Sequence, residues 1–265
     1  MPRPGYRYVE ENLRAAMSCF ATSKPAGEAL DAPGLRLVYT GIEVPVFNPV
    51  LLTDDVQTFT DLRRRLERAR EYFARKRIGW SAWLCEDMLE PHVRSLVPAL
   101  VAEYGLEVSA HPPGMLAEKL APPTRKLPPL DYRPVDDAAT RVDFCHVMSV
   151  AYEGPFATLM EAYDSPPFWA SGFEGWIGYL DGRAVTTACT VATPDAIGLY
   201  AVSTLHNYRR KGYGEAVMRL AVAQAAKKYA IERVVLQSTP SGLSLYRRMG
   251  LAAVTDFAIY LSQNP

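Results

Sequence analysis

The sequence predicts an α+β chain, a mixed and mainly antiparallel sheet flanked by helices, built as two successive copies of one layout. Three observations carry this. Extended runs at 176–180 and 184–192 flank Asp181-Gly182, the dipeptide best suited to a two-residue antiparallel hairpin. Helical periodicity appears between extended segments, without the regular strand–helix alternation of a parallel sheet. Between His111 and Pro134 stand Pro112, Pro113, Pro122, Pro123, Pro128, Pro129 and Pro134, a third of the 21 prolines. Such a stretch is extended and stiff, and it divides the 265 residues into 1–125 and 126–265, each long enough to bury a core.

After the seam, Asp136 or Asp137 caps a helix whose apolar side carries Val142, Cys145, Met148 and Tyr152. Gly154-Pro155 breaks it, a second helix runs from Phe156 to Ala162, and Pro166-Pro167 makes another break. The hairpin follows, then a strand at 198–204, a helix from Gly214 to about Tyr229, a buried strand at 233–238, a short helix at 241–249 ending on Gly250, and a closing strand at 252–261. The first half repeats the later part of this order. Residues 42–52 read as extended, 58–77 as a charged amphipathic helix, 80–85 as a strand and 92–104 as a helix ending at Gly105. Aligning Ile78 with Ile231 superposes Trp80–Leu84 on Arg233–Gln237, and Gly105-Leu106 matches Gly250-Leu251.

Composition narrows the function. Apolar residues make up 49% and 29 basic side chains balance 29 acidic ones, so no basic field exists to select nucleic acid or an anionic membrane. Cys19, Cys85, Cys145 and Cys189 are too scattered for a metal-binding set and read as reduced core residues. Arg3, Arg7, Glu10, Glu11 and Arg14 occupy the place of a signal peptide's apolar run, and no later segment is apolar enough to span a bilayer. A cytoplasmic protein without a metal is the expectation.

The chemistry concentrates at Thr204–Gly214. There an apolar strand runs through Arg209, Arg210, Lys211, Gly212, Tyr213 and Gly214 straight into a helix. A helix's first turn offers unpaired N–H groups and the positive end of its dipole, and glycines let an anion approach them. A phosphate or pyrophosphate is the implied ligand. The Gly-Lys-Ser/Thr ending of a nucleotide P-loop and the third glycine of a dinucleotide fingerprint are both missing. For the two glycines alone, a basic loop that merely starts a helix is an equally good reading.

The wider pattern is more specific. Arg209-x-x-Gly212-x-Gly214 resembles the (Gln/Arg)-x-x-Gly-x-(Gly/Ala) signature of the GNAT (GCN5-related N-acetyltransferase) superfamily, and Leu245-Tyr246-Arg247-Arg248-Met249-Gly250-Leu251 resembles that family's Leu-Tyr-x-x-x-Gly-Phe segment. The resemblance covers about 131–265 and extends to the first half only as a degenerate copy. It implies acetyl-coenzyme A as acyl donor, with its pyrophosphate on Arg209, Arg210, Lys211, Gly212, Tyr213, Gly214 and Glu215. It further implies Val202 N–H as the donor to the thioester carbonyl, Thr204 as a main-chain partner of the pantetheine arm, and Tyr246 beside the sulfur as general acid.

The base is the departure. Gly198 stands where many relatives place a glutamate, which leaves Tyr200, on the same strand face, and Glu153 as candidates; His206 reads as an exposed turn residue. In the first half Val56, Phe59 and Asp61 replace Arg209, Gly212 and Gly214, and Val101 replaces Tyr246, so that half is expected to be non-catalytic. Trp80, Trp83 and Phe47–Val50 are its expected core or interface, and Arg63, Arg64, Arg65 and Arg68 its solvated helix face. The expected reaction is direct acetyl transfer to the amine of a small molecule or peptide, since no cysteine lies in either motif to form an acyl-enzyme. Two competitors are a coenzyme A-binding regulator without turnover and a tRNA-dependent aminoacyl or peptidyl transferase of related fold. Neither the acceptor nor the oligomeric state is legible.

Overall fold

A computed structural model describes residues 4–263; Arg3, part of the charged amino terminus, lies outside them. Helix α1 (Gly5–Thr22) precedes the first half: β1 (Glu28–Ala32), β2 (Leu35–Tyr39), β3 (Pro49–Leu52), α2 (Phe59–Lys76), β4 (Ser81–Cys85), α3 (Pro91–Arg94), α4 (Val97–Glu103), β5 (Leu106–Ala110) and β6 (Pro113–Ala117). The second half comprises β7 (Asp131–Pro134), α5 (Ala138–Tyr152), α6 (Phe156–Tyr163), α7 (Pro166–Ala170), β8 (Phe173–Leu180), β9 (Arg183–Thr193), β10 (Ala196–Thr204), α8 (Tyr213–Tyr229), β11 (Val234–Gln237), α9 (Leu243–Arg248) and β12 (Ala252–Ser262).

Local rules set most boundaries. The Thr58 side chain caps α2 by accepting from Asp61 N at 3.2 Å. Asp137, rather than Asp136, caps α5 in a reciprocal box with Thr140. Asp181 and Gly182 turn the β8–β9 hairpin with φ of 50° and 77°, the left-handed pair of a type I′ turn. Pro166-Pro167 opens α7 instead of interrupting the chain, because proline lacks only an N–H that a first turn leaves unpaired.

All strands join one sheet in the order β1-β2-β3-β4-β12-β6-β11-β10-β9-β8-β7, with β5 also on β12. Each half contributes one parallel pair, β3–β4 and β10–β11, and the other pairings between these strands are antiparallel. The halves interlock. β6, from the proline seam, inserts between β11 and the start of β12, while the end of β12 inserts between β4 and β5. The seam is therefore partly sheet. Pro113 fits as the first residue of its strand, and the Pro112 and Pro113 carbonyls accept from Phe257 N and Ser238 N.

Helix α1 binds the two halves from one side. Its Val9, Leu13 and Ala21 enter the core under the first half, and Ala16, Cys19 and Phe20 enter the aromatic core of the second, where Phe20 meets Phe168 at 4.9 Å. Trp80 is core, stacked on Phe73 at 5.5 Å. Arg65 corrects the solvated-face reading: it is 7% exposed, pairs with Asp54 and Asp61 at 2.7 and 2.6 Å, and donates to Gly34 O at 3.0 Å. The charge enters the interior because carboxylates and loop carbonyls receive both of its terminal amino groups.

Candidate active site

The β10–β11 parallel ladder lasts only from Ile197↔Val234 to Gly198↔Val235. Beyond it the strands part, and a cleft of about 910 Å³ opens between β10 and the segment from Gln237 to Arg248. A bulge in β10 accompanies the parting: the β9 register jumps between Tyr200 and Ser203, and Ala201 takes φ 47°. That left-handed geometry costs a non-glycine residue about 1–2 kcal/mol, so neighbouring bonds must hold it. The Thr187 hydroxyl does so, donating to Ala201 O at 2.9 Å from β9. In a trans peptide the carbonyl and the next N–H point oppositely. Anchoring Ala201 O toward β9 therefore turns the Val202 N–H toward the side where β11 has left.

At one end the cleft meets the β10–α8 loop. Arg210 (φ 62°) and Gly212 (φ 96°) are both left-handed, and Gly212 is the N-cap of α8. The following amides of Tyr213, Gly214 and Glu215 have no partner within the helix and face the positive end of its dipole. A Cβ on Gly212 would sit 3.1 Å from Pro128 Cδ and 3.2 Å from Arg125 Nη2; one on Gly214 would sit 3.0 Å from Thr204 Oγ1. The cradle is thus open only because these side chains are missing. Arg125, from the proline seam, and Arg210 line it; sequence reasoning missed Arg125, since seam residues carry no local signal of what they pack on.

Other loop residues act differently from expectation. Arg209 folds back and donates to Thr204 O at 3.0 Å and Ala151 O at 2.8 Å, so its guanidinium fastens the loop to the ends of β10 and α5. Lys211 lies over the Tyr208 ring at 5.7 Å, and the Tyr213 ring is 6.1 Å from the same ring; neither is among the residues that line the cleft. The Glu215 carboxylate is buried against Arg219 at 2.9 Å, and Arg219 also donates to Ala121 O at 2.7 Å. This pairing neutralises a negative charge that would otherwise oppose an anion. Thr204 lines the cleft, with its hydroxyl 2.8 Å from that of Thr186.

Tyr246, on α9, forms the wall opposite β10. Its ring lies flush on Gly242, where an added Cβ would be 2.6 Å from Cε2. Burial, with the Tyr152 phenol as a smaller contribution, raises its pKa above the usual phenol value, so it keeps its proton at neutral pH. Tyr152 itself was legible only as the last apolar residue of a helix face. Its hydroxyl reaches the cleft and donates to Val202 O at 3.0 Å.

Of the two candidate bases, Tyr200 lines the cleft and Glu153 does not. The Tyr200 hydroxyl donates to Asn12 Oδ1 at 2.7 Å, and burial pushes its pKa up; its proton is committed to that bond. Glu153 is 81% exposed at the left-handed end of α5, 3.6 Å from His206 Nε2. It does not line the cleft, whereas His206 does, at its rim. Asn12 fills the space beside Gly198: its amide also donates to Val191 O, Thr193 Oγ1 and Ala196 O at 3.0–3.2 Å. A methyl on Gly198 would overlap Asn12 Oδ1. Gly198→Ala is expected to cost about 1–3 kcal/mol, read as a lower midpoint of thermal or urea unfolding; unchanged stability would contradict this packing.

Nucleophilic cysteine chemistry finds no support here. All four cysteines are free and buried, and desolvation pushes the Cys85 thiol up to about 11 and Cys145 to about 12. Among the described residues, no group of three His, Cys, Asp or Glu is placed to hold a metal ion.

Residues 141–251 match the model of the acetyltransferase (GNAT) family. Solved structures with a similar overall path include a GCN5-related N-acetyltransferase from Kribbella flavida (19% identity, 96% of each chain, TM-score 0.70). A tandem GNAT protein from the clavulanic acid biosynthesis pathway follows the chain at 12% identity over 95% of this chain and 94% of that one, TM-score 0.55. A GCN5-related N-acetyltransferase from Sphaerobacter thermophilus does so at 13% identity, 90% and 84% coverage, TM-score 0.57. At such identities the likeness establishes the fold, over both halves. No curated protein matches the sequence.

Proposed function

We propose that the chain transfers an acetyl group from acetyl-coenzyme A to a primary amine, a reading supported by the match of residues 141–251 to the acetyltransferase (GNAT) family model. In this reading 126–265 is the catalytic unit and 1–125 a degenerate copy that walls the cleft. The observation that carries it is the glycine-opened amide cradle at Gly212 and Gly214, at the end of a cleft lined by Val202 and Tyr246.

The residues present fit the donor. The loop amides, Arg210 and Arg125 would hold its pyrophosphate, and the edge of β10 that β11 has left, around Thr204, would hold its arm. When bound, acetyl-coenzyme A supplies an activated acyl carbon and a thiolate leaving group. The Val202 N–H, set by Thr187 and the bulge, would donate to the acyl oxygen as it gains charge. Tyr246 would give its proton to the sulfur. Transfer is direct. With the Tyr200 hydroxyl bonded to Asn12 and Glu153 outside the cleft, the acceptor would attack as the free amine. The proton its nitrogen sheds as the C–N bond forms and the C–S bond breaks would pass to water, and Tyr246 would regain from water the proton it gave to the sulfur.

Release of thiol from acetyl-coenzyme A, dependent on an added amine, tests the reading. Tight coenzyme A binding without thiol release across a broad amine panel would replace it with a binding regulator, a second reading favoured by the amide at the Gly198 position. Thr187→Val should lower kcat about 10-fold or more, because the oxyanion donor loses its orientation, while acetyl-coenzyme A affinity holds; unchanged kcat would exclude Val202 N–H from the reaction. No helix among the described residues is long and apolar enough to cross a membrane.

A further inference from the structure

The end of the cleft away from the anion loop is built by the half of the chain without that loop. Leu13 and Met17 on α1 and Trp83 on β4 line it, across from Leu199 and Tyr200 of β10. The Trp83 indole is held in place by its Nε1–H, which donates to Ser81 Oγ at 3.1 Å. The wall is aromatic and aliphatic, with a thioether among its groups.

Its charges are as telling. Among the described residues that line the cleft, Glu215 is the one carboxylate, and it is paired with Arg219 at the opposite end. Glu10, on the same helix as Leu13 and Met17, is buried and pairs with Arg14 at 3.2 Å; it does not line the cleft. The Asn12 amide is fully engaged with β9, β10 and Tyr200. The charged groups that do line the cavity are mainly cationic: Arg125, Arg209, Arg210 and Arg248. A second ammonium on the acceptor would therefore be desolvated at this end with no counter-charge to receive it. An apolar arm would instead bury against Trp83, Met17 and Leu13.

We infer that the acceptor is a monoamine with an aryl or branched-aliphatic arm and no second cationic group, and that Trp83 and Met17 set this preference. The inference rests on the transferase reading for the word acceptor, while its recognition chemistry is measurable as binding.

The full chain, with and without saturating coenzyme A, is titrated calorimetrically with 2-phenylethylamine and with 1,4-diaminobutane. The aryl amine should bind at least about tenfold more tightly, and Trp83→Ala should remove that margin, of the size one apolar contact group confers, with circular dichroism unaltered. Met17→Glu, which supplies the missing carboxylate, should raise diamine affinity. Equal or tighter diamine binding to the wild type, no aryl amine binding at millimolar concentration, or a margin that survives Trp83→Ala in a folded variant would overturn the inference. Failure of coenzyme A to bind would count against the transferase reading alone, because the amine titrations are also made without it.

Discussion

Tyr246→Phe is expected to lower kcat about 10²–10⁴-fold, the usual contribution of a positioned general acid, while acetyl-coenzyme A affinity stays within about twofold. The substitution removes only a hydroxyl. The ring keeps its packing on Gly242 and in the core that contains Met115, Val217 and Leu236, so stability should change little. The pH profile provides a second readout. Burial raises the Tyr246 phenol above its ordinary value of about 10, so its proton-bearing form persists to higher pH than in a free tyrosine. With neither Tyr200 nor Glu153 acting as base, kcat/KM should climb with pH as the acceptor loses its own proton, and should not turn down before about pH 10. A downturn near neutrality would assign the acid to another group, and unchanged turnover in Tyr246→Phe would remove Tyr246 from the chemistry.

Gly212→Val should abolish measurable turnover at ordinary substrate concentrations, through a loss of acetyl-coenzyme A affinity of about 100-fold or more. Two effects combine. At φ 96° a β-branched residue is strained by about 1–3 kcal/mol, and relief of that strain would rotate the amides that make the cradle. The new side chain would also press on Pro128 and Arg125, displacing the seam's positive charge from the anion site. Both act on binding, so kcat at saturating donor should fall less than kcat/KM. A variant that binds acetyl-coenzyme A as the parent does would show that the loop is only a helix start.

Features governed by neighbours in sequence were legible before the structure. Thr58, Asp137, Asp181-Gly182, Gly105, Gly212 and Gly250 each set a cap, turn or helix end through their own backbone preferences, and the two-copy order followed from them. The glycine-bearing loop could be located for the same reason. Long-range pairing was not legible. The strand at 113–117 looks like proline-rich linker because its partners, Val234–Gln237 and Ala252–Asp256, lie more than a hundred residues away. Side-chain destinations were equally hidden. Arg65 and Arg209 read as solvated or anion-seeking cations, yet both satisfy carbonyls that only the folded chain brings near. Asn12 could not be connected with Gly198 from sequence, nor could Tyr152 with the bulge, since α1 and the end of α5 reach β10 only through the tertiary fold.

The account stands on the amides around Gly212 and Gly214 gripping a diphosphate. Calorimetric titration of the wild-type chain with acetyl-coenzyme A, run beside Gly212→Val, tests this most directly. Saturable heat with one donor per chain in the wild type, and its loss in the variant, is the predicted result. No heat with the wild type at millimolar donor, or equal binding by both proteins, would contradict it.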